Sequence, residues 1–379
     1  MSLQQPNLTN ETLPPLHRSR LSEIDALRGI AALFVLCFHY SLNGRPTYPI
    51  FRFGITGVDL FFLISGFVIM MSMERIKYGY EFIISRFCRL FPTYWTCVTL
   101  ALIIILSCKP YYGHQFIIPW AQYFANMTMF QHYLGYEDLD GPYWTMIIEM
   151  LFYMLMLLLF YVRAIKSVVF FLTFMVLAMT GLTEKFNGDS ITHNILHFFP
   201  LMQFLPLFLA GILFYKVYNQ EKKSKFYILL IIGCYFCQIL LYKFGGRSYG
   251  HVSHPEYKLI VAIYFAFLFL LLFRKLKFIV NRYTLFLGKI SFALYLIHQY
   301  LSINCIIPIL VDNGVNFYIA AYAIAFPVSL LVAAGITFYV EVPAARWLKP
   351  RLYAFAHFLI AIRKKVEAVF TRKKHITEN

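Results

Sequence analysis

Long apolar runs alternate with short polar segments along almost the whole chain. A helix needs about 20 apolar residues to cross the hydrocarbon core of a membrane, and ten runs approach or reach this length. The pattern therefore predicts an all-α polytopic membrane protein with about ten transmembrane helices. A tyrosine-rich stretch at 111–136 is expected to lie in the interface, or to dip in without crossing. The predicted spans are 24–43, 53–73, 90–108, 141–162, 167–183, 195–218, 226–243, 257–273, 285–311 and 317–342.

Composition excludes a soluble domain. The 379 residues are 60% hydrophobic and 14% charged, whereas soluble domains are about 45–50% apolar and about 25% charged. Cys234 and Cys237 form a C-x-x-C pair within an apolar run that has no acidic or histidine neighbour. This pattern favours core packing over metal or redox chemistry. We expect no metal site and no bound cofactor.

The positive-inside rule gives the orientation. With both termini in the cytoplasm, 26 of the 34 Lys and Arg residues lie in cytoplasmic parts and seven on the opposite side. Topology and anionic lipid explain the net charge of +16 without a nucleic-acid partner. The expected organisation is a cytoplasmic segment at 1–21, a transmembrane domain at 22–345 and a basic amphipathic tail on the inner leaflet at 346–379.

Arg28 and His39 are two ionisable residues within the first predicted span. Eleven residues are almost three helical turns, so both side chains fall on one stripe, roughly 16–17 Å apart along the axis. Ionisable groups inside a span mark functional sites by default. His39 could act as a general base near physiological pH, with Arg28 holding an anion. Alternatively, Arg28 snorkels or pairs with Asp25, and His39 is a hydrogen-bonded packing residue.

Arg86 and Arg89 precede the third predicted span. Three residues apart, they face the same way on a helix and form a two-pronged anion site suited to phosphate at the inner surface. The alternative is ordinary positive-inside charge.

Four further polar residues lie in apolar runs: Asp25, Asp59, Glu149 and His298. Asp59 and Glu149 must each be neutral or matched by a cation. A carboxylate on one nitrogen of His39 would fix its tautomer. A structural ion pair explains each acid equally well, and the sequence leaves their partners open. His298 fits a structural role, with a second catalytic or acceptor-binding role as the alternative.

Six motifs follow one another in order: DALRGIAAL…FHY, GVDLFFLISGF, SRFCRLFP, YWTMIIEMLFY, ISFALYLIH and EVPAARW. From about residue 22 to residue 348, this order resembles the acyltransferase-3 family of bacterial membrane acyltransferases. Relatives often carry a double acid where this chain has Ile-Ile-Glu, and Glu149 is the acid that remains.

The resemblance implies transfer of an acyl group, usually acetyl, from cytoplasmic acyl-CoA to a hydroxyl of an extracytoplasmic or lipid-linked sugar. The family's essential histidine falls on His39, its paired arginine on Arg28, and its R-x-x-R on Arg86 and Arg89. Some relatives carry an SGNH hydrolase-like domain after the last spans. Only the basic tail follows the tenth span here, so we expect direct delivery to the acceptor or a separate partner protein.

We therefore predict a multi-pass O-acyltransferase of the bacterial inner membrane that acts on a surface polysaccharide such as lipopolysaccharide O-antigen. The predicted catalytic residues are His39, Arg28 and Glu149, and acetyl-CoA is the co-substrate. Its nucleotide would stay near Arg86 and Arg89 while His39 deprotonates a sugar hydroxyl. Two alternatives use the same intramembrane charges: a glycan or small-anion transporter, and a scaffold whose charges tolerate neutral substitution.

Overall fold

The computed structural model describes residues 21–41, 51–112, 120–186, 189–219, 224–244 and 248–377. Within these ranges the chain is helical, is joined by turns and contains no β-strand. The α-helices in chain order are α1 Ser22–Ser41, α2 Gly57–Met73, α3 Gly79–Tyr112, α4 Trp120–Met127, α5 Trp144–Tyr161, α6 Val168–Lys185, α7 Ser190–Phe198, α8 Leu201–Tyr218, α9 Ser224–Tyr242, α10 His254–Leu272, α11 Arg282–His298, α12 Ile307–Asp312, α13 Phe326–Ile336 and α14 Val342–Thr377.

Three π-helical segments interrupt the last part of the bundle. The first joins α11 to α12, the second leads into α13, and the third joins α13 to α14, so that α11 and α12 belong to one span and α13 and α14 to another. Such π turns are rare and occur frequently at functional sites. The segments are Gln299–Ile306, Ile319–Ala325 and Thr337–Glu341.

Ten helical runs among the described residues are long and apolar enough to cross a membrane. This confirms the predicted fold class and number of spans. The runs are Ser22–Ser41, Phe51–Met73, Gly79–Ser107, Gly141–Tyr161, Ile165–Lys185, Leu201–Tyr218, Ser224–Tyr242, His254–Leu272, Arg282–Asp312 and Ile319–Lys364.

The third span begins earlier than the sequence suggested. Helix α3 starts at Gly79, well before the predicted start at 90, and it continues through Pro92. Arg86 and Arg89 therefore lie within the spanning helix rather than before it. Buried Phe82 packs this early part of α3 into the core, which explains why two arginines do not end the helix.

The tyrosine-rich stretch at 111–136 contains the end of α3 and the short helix α4. Eight residues of α-helix extend about 12 Å, so α4 is too short to cross, as predicted. Residues 113–119 of this stretch lie outside the described residues.

Consecutive spans run in opposite directions, which gives the bundle two sides. We call the side on which α1 begins the proximal side, and the side on which α1 ends the distal side. Helices α1, α3, α9 and α11 begin on the proximal side, and α2, α5, α8 and α10 begin on the distal side. The proximal side corresponds to the side predicted to be cytoplasmic.

Helices α1 and α11 run parallel and pack closely, with glycines at their contact. A Cβ added to Gly288 would lie 2.1 Å from the carbonyl oxygen of Asp25, and one added to Gly29 would lie 2.6 Å from the backbone nitrogen of Gly288. Glycine lets two helix backbones approach at this distance in a membrane. Ten residues further along each helix stand His39 and His298, so the same register brings the two histidines together.

Helices α2 and α8 form the second close pair, at the centre of the bundle. A Cβ on Gly66 would lie 2.1 Å from the carbonyl oxygen of Phe208, and a Cβ on Gly211 would lie 2.0 Å from that of Leu63. Their spans are the most buried of the ten. In their apolar stretches 72% and 78% of the residues are buried, against 33% for the span that holds α6.

Substitution of Gly211 with alanine should therefore destabilise the bundle. The added methyl group meets backbone rather than a mobile side chain, and overpacking of this kind costs roughly 1–3 kcal/mol. We expect a lower melting temperature for the purified protein in detergent. Gly233→Ala in α9 is the matched control, because its Cβ would meet nothing within 4 Å. Equal losses in the two variants would contradict the close α2–α8 contact.

Helix α14 continues the last span without a break. The expected boundary between 345 and 346 has no structural counterpart, since one helix runs from Val342 to Thr377. Phe355, Phe358, Leu359 and Ile362 are exposed along this helix at the spacing of one helical face. Its described part is thus amphipathic, and its placement on the inner leaflet stays a prediction.

Candidate active site between two cavities

The proximal half of the bundle contains a cavity lined by three arginines, with about 740 Å³ of empty space when the open solvent at its mouth is included. Helix α1 contributes Arg28, and adjacent turns of α3 contribute Arg86 and Arg89. Glu149 of α5 lines the same cavity. The structure thus brings together four of the polar residues singled out in the sequence. Three cations and one carboxylate leave the cavity with a net positive character suited to an anionic ligand.

Two of the three arginines are anchored by neighbours within the bundle. Arg28 forms an ion pair with Asp25 one turn away, at 3.7 Å between Nη1 and Oδ1. The guanidinium of Arg86 lies over the rings of Phe82 and Tyr153, at 5.7 and 5.9 Å from their centroids. The Nε atom of Arg86 is buried and has no hydrogen-bond partner within the described chain. It is an unused donor at the cavity wall.

Glu149 is held by two hydroxyl groups. Tyr153, one turn along α5, donates a short hydrogen bond to Glu149 Oε1, and Ser65 of α2 donates to the same oxygen at 3.4 Å. Tyr153 therefore contacts both Glu149 and Arg86. Tyr153 and Ser65 both line the cavity, and neither is singled out by sequence reasoning. The i, i+4 spacing of Tyr153 from Glu149 was the available signal.

His39 and His298 form a hydrogen-bonded pair near the distal end of their helices. His298 Nδ1–H donates to the carbonyl oxygen of Tyr295 at 2.8 Å, so Nε2 of a neutral His298 is an acceptor. His39 Nδ1 lies 2.9 Å from the carbonyl oxygen of Val35 and 3.1 Å from His298 Nε2. The network assigns the hydrogen of His39 to Nδ1, shared between these two acceptors. Nε2 of His39 then carries the lone pair of a base.

His39 lines a second cavity that opens on the distal side, with an empty volume of about 730 Å³. We call it the vestibule. Its other walls include Gly141 and Trp144 at the start of the fourth span, and His251 before α10. Phe38 packs edge-on against the rings of both His39 and His251, at 4.9 and 5.1 Å.

The proximal cavity and the vestibule share two lining residues, Val58 and Tyr295. The ring of Tyr295 packs against Phe61 of α2, at 5.8 Å between centroids. Val58 and Tyr295 therefore lie between the two cavities, and His39 lines the vestibule together with them.

Asp59 lies away from this site. It is buried at 3% exposure, and its nearest described polar partner is the Tyr257 hydroxyl of α10. Tyr257 accepts a hydrogen bond from Gln238 at 3.1 Å. Asp59 lines neither the proximal cavity nor the vestibule. The residue on Nδ1 of His39 is His298 rather than either candidate carboxylate.

Three hydroxyl groups fix the end of α1 behind His39. The Tyr40 hydroxyl donates to Ser302 Oγ at 2.7 Å, Ser302 and Ser329 are 2.7 Å apart, and Ser329 donates to the carbonyl oxygen of Ala325 at 2.8 Å. All three side chains are buried. The chain of bonds ties α1 to the π-helical segment after His298 and to α13.

Asp140 stands just before the fourth span on the distal side. Its Oδ2 accepts the backbone N–H of Tyr300 at 3.2 Å, within the π-helical segment, and its Oδ1 is buried without a hydrogen-bond partner in the described part of the chain. Burial raises the pKa of Asp140 to about 7, against the opposing effect of the N–H groups of Tyr300 and Gly141.

This shift predicts a pH-dependent stability. Between about pH 4 and pH 7 the folded protein keeps a proton that the unfolded chain loses, so the free energy of unfolding should fall as pH rises through this window. Asp140→Asn keeps an acceptor for Tyr300 and removes the titration. Its melting temperature in detergent should therefore fall less between pH 5 and pH 8 than that of the parent. Asp312→Asn, at an exposed distal position, should retain the parent's slope. Equal slopes for Asp140→Asn and the parent would contradict this prediction.

No group of three His, Cys, Asp or Glu residues in the described ranges could hold a metal ion. Cys234 and Cys237 are both buried in α9.

Comparison with known proteins identifies relatives for most of the chain. The acyltransferase-3 family model, described as an acyltransferase domain, matches residues 21–338. A protein of Acidianus two-tailed virus, ORF330, which carries an acetyltransferase name, is 23% identical over 287 residues, or 73% of this chain and 81% of its own.

Two further relatives match over a shorter region. The O-acetyl transferase of Shigella phage Sf6 is 29% identical over 156 residues, and Nodulation protein 10 of Rhizobium leguminosarum bv. viciae is 31% identical over 157 residues. These alignments cover 37% and 35% of this chain and 45% and 42% of the relatives. No solved structure matches the chain. The family match covers most of the chain, from the start of α1 to the beginning of the π-helical segment after α13. The chain therefore belongs to the acyltransferase-3 family and is a multi-pass membrane acyltransferase.

Proposed function

We propose that the protein transfers an acetyl group from acetyl-CoA, bound from the proximal side, to a hydroxyl group of a saccharide that enters the vestibule from the distal side. The observation that carries this proposal is the position of His39. It lines the vestibule at the place where that cavity meets the arginine-lined proximal cavity, beside Val58 and Tyr295.

The proximal cavity suits the donor. CoA carries several phosphate charges on its nucleotide and a long, thin pantetheine arm. Arg86 and Arg89 can hold phosphate oxygens with charge-assisted hydrogen bonds. The arm would extend past Arg28 toward Val58 and Tyr295, which would bring the thioester to His39. This placement of the donor explains why the three arginines lie on the proximal side of Val58 and Tyr295.

His39 would act as the general base. Its Nε2 takes the proton of the sugar hydroxyl while the hydroxyl oxygen attacks the thioester carbonyl carbon. Collapse of the tetrahedral intermediate breaks the C–S bond, and the proton passes from His39 to the departing CoA sulfur. The products are an acetyl ester and CoA. His298 stabilises the Nδ1–H tautomer that this role requires. Alignment of both reactants at one imidazole supplies a further part of the acceleration.

The relatives support the choice of group and acceptor. Two carry acetyltransferase or O-acetyl transferase names, and an O-ester requires a hydroxyl acceptor. We propose a bacterial inner membrane with the proximal side in the cytoplasm, where acetyl-CoA is made. The acceptor is then a surface polysaccharide or its lipid-linked precursor, such as lipopolysaccharide O-antigen.

The test uses the purified full chain in lipid nanodiscs with radiolabelled acetyl-CoA and polysaccharide released from a host strain that lacks the gene. We expect label on the polysaccharide, sensitive to mild alkali as an ester is, and none with boiled protein. Movement of glycan across a vesicle membrane in the absence of acetyl-CoA, without labelling, would instead support the transporter hypothesis.

A further inference from the structure

A third cavity lies beside the vestibule on the distal side, with about 1150 Å³ of empty space when the open solvent at its mouth is included. We call it the lateral pocket. The connection between α4 and α5 forms one wall and the turn between α7 and α8 forms the other. The side chains that define it are His132, Tyr136, Glu137, Asp138, Trp144 and His197.

The lateral pocket adjoins the vestibule directly. Gly141 and Trp144 line both cavities. Gly141 is also in close contact with the end of α11, because a Cβ at this position would lie 2.2 Å from Gln299 Oε1. Gly141 and Trp144 therefore lie between the pocket and the vestibule. A ligand in the pocket lies next to the cavity that contains His39.

The chemistry of the pocket differs from that of the donor cavity. Among the described residues that line it there are two carboxylates and no lysine or arginine, so these residues disfavour a phosphate-bearing nucleotide. Carboxylates and imidazoles accept hydrogen bonds from hydroxyl groups, while Trp144 and Tyr136 offer apolar ring faces with polar edges. A sugar matches both kinds of residue, because it has hydroxyl groups around its edge and an apolar ring face.

Hydrogen bonds hold the carboxylate-bearing wall in place. Asn126 of α4 donates to the carbonyl oxygen of Glu137 at 3.0 Å and accepts from the backbone N–H of Leu139 at 3.0 Å. Gln131 Nε2 donates to Asp138 Oδ1 at 2.7 Å. Because this wall is already ordered, binding there requires little further loss of conformational entropy.

The opposite wall is tied to the first one. His132 Nε2 lies 3.0 Å from the carbonyl oxygen of His197, and the Tyr133 hydroxyl donates to the carbonyl oxygen of Phe198 at 2.6 Å. The rings of His132 and His197 are 4.9 Å apart. The pocket is thus a preformed cavity bounded on both sides, as ligand sites usually are.

We propose that the lateral pocket is the saccharide subsite of the enzyme, which holds the sugar units next to the one that is acylated. This rests on the proposed function, and it names the place where the acceptor is recognised. Trp144 lies between the bound sugar and the reacting hydroxyl at His39. Glu137 and Asp138 accept hydrogen bonds from hydroxyl groups of the neighbouring units.

The test measures acceptor kinetics with [¹⁴C]acetyl-CoA and two probes, methyl and octyl glycosides of common hexoses. The variants are Glu137→Gln and Tyr136→Ala. Both residues line the lateral pocket and neither lines the proximal cavity or the vestibule. Each should raise the KM for the glycoside that the parent acetylates by about tenfold, Glu137→Gln through loss of a hydrogen bond to a charged group and Tyr136→Ala through loss of the ring face. The KM for acetyl-CoA should stay unchanged. A lower KM for octyl than for methyl glycosides assigns a lipid-linked acceptor, and similar values assign a soluble polymer.

Glu184→Gln is the matched control. This carboxylate lies on the distal side, pairs with Lys243 at 3.7 Å and lines none of the three cavities, so its removal should leave the acceptor KM unchanged. Elution as a single species and an unchanged melting temperature establish that each variant folds. An acceptor KM equal to that of the parent in both pocket variants would overturn the subsite. A parent that acetylates neither class of glycoside nor the released polysaccharide would overturn the proposed function as well.

Discussion

Replacing His39 with alanine should abolish acetyl transfer while the protein still inserts and folds. General base catalysis contributes about 10²–10⁴-fold, and His39 is the only imidazole in the described chain that lines the vestibule and also bonds to a second histidine. We expect kcat to fall by about 10³-fold or more, with little change in the KM for acetyl-CoA. Initial rates at saturating donor and acceptor give this value directly.

His298 separates the proposed mechanism from a merely structural histidine pair. His298→Ala removes the acceptor on His39 Nδ1 and should lower kcat by about 10²-fold, because the tautomer is less well fixed. His298→Gln can still present an oxygen to Nδ1–H and should restore part of the rate. His357→Ala, an exposed histidine on α14, is the control. Transfer at the parent rate by His39→Ala would exclude His39 as the base.

The second large effect is expected at the proximal cavity. Arg86→Ala and Arg89→Ala together should raise the KM for acetyl-CoA by about 10²-fold, because each lost charge-assisted hydrogen bond is worth about 1.5–3 kcal/mol. The acceptor KM should change little. A competing ligand without the nucleotide, such as acetyl-pantetheine, should show much less dependence on the two arginines than acetyl-CoA does.

Salt gives a second readout for the same pair. The KM of the parent for acetyl-CoA should rise with ionic strength, and the double variant should have lost most of this dependence. Arg75→Ala is the matched control, since Arg75 is exposed at the proximal end of α2 and does not line the cavity. A donor KM equal to that of the parent would exclude Arg86 and Arg89 from donor binding.

The helices could be predicted from the sequence because length and apolarity decide whether a segment spans a membrane. The exception is instructive. The predicted third span begins too late because two arginines and a proline are typical of a span boundary, whereas α3 continues through Pro92 and turns Arg86 and Arg89 toward a cavity. In the sequence, a charged residue that faces a buried cavity cannot be distinguished from one that faces water.

The residues that line the candidate site could be singled out in the sequence, but the interactions among them could not. Arg28, Glu149, Arg86 and Arg89 converge on one cavity, yet their grouping depends on how α1, α3 and α5 meet. The pairing of His39 with His298 depends on the parallel contact of α1 and α11. In the sequence, only Gly29 and Gly288 indicate this contact. Their roles in catalysis stay predictions until the variants are measured.

The in-register packing of α1 against α11 limits how the chain can change in length. One residue added between Gly29 and His39 would rotate the imidazole by about 100° and shift it by about 1.5 Å, away from its partner on the other helix. The same holds between Gly288 and His298. We therefore expect the two ten-residue intervals to tolerate substitutions at many positions but no insertion or deletion of one residue, even when both helices change together, because both imidazoles would turn by about 100° in the same sense.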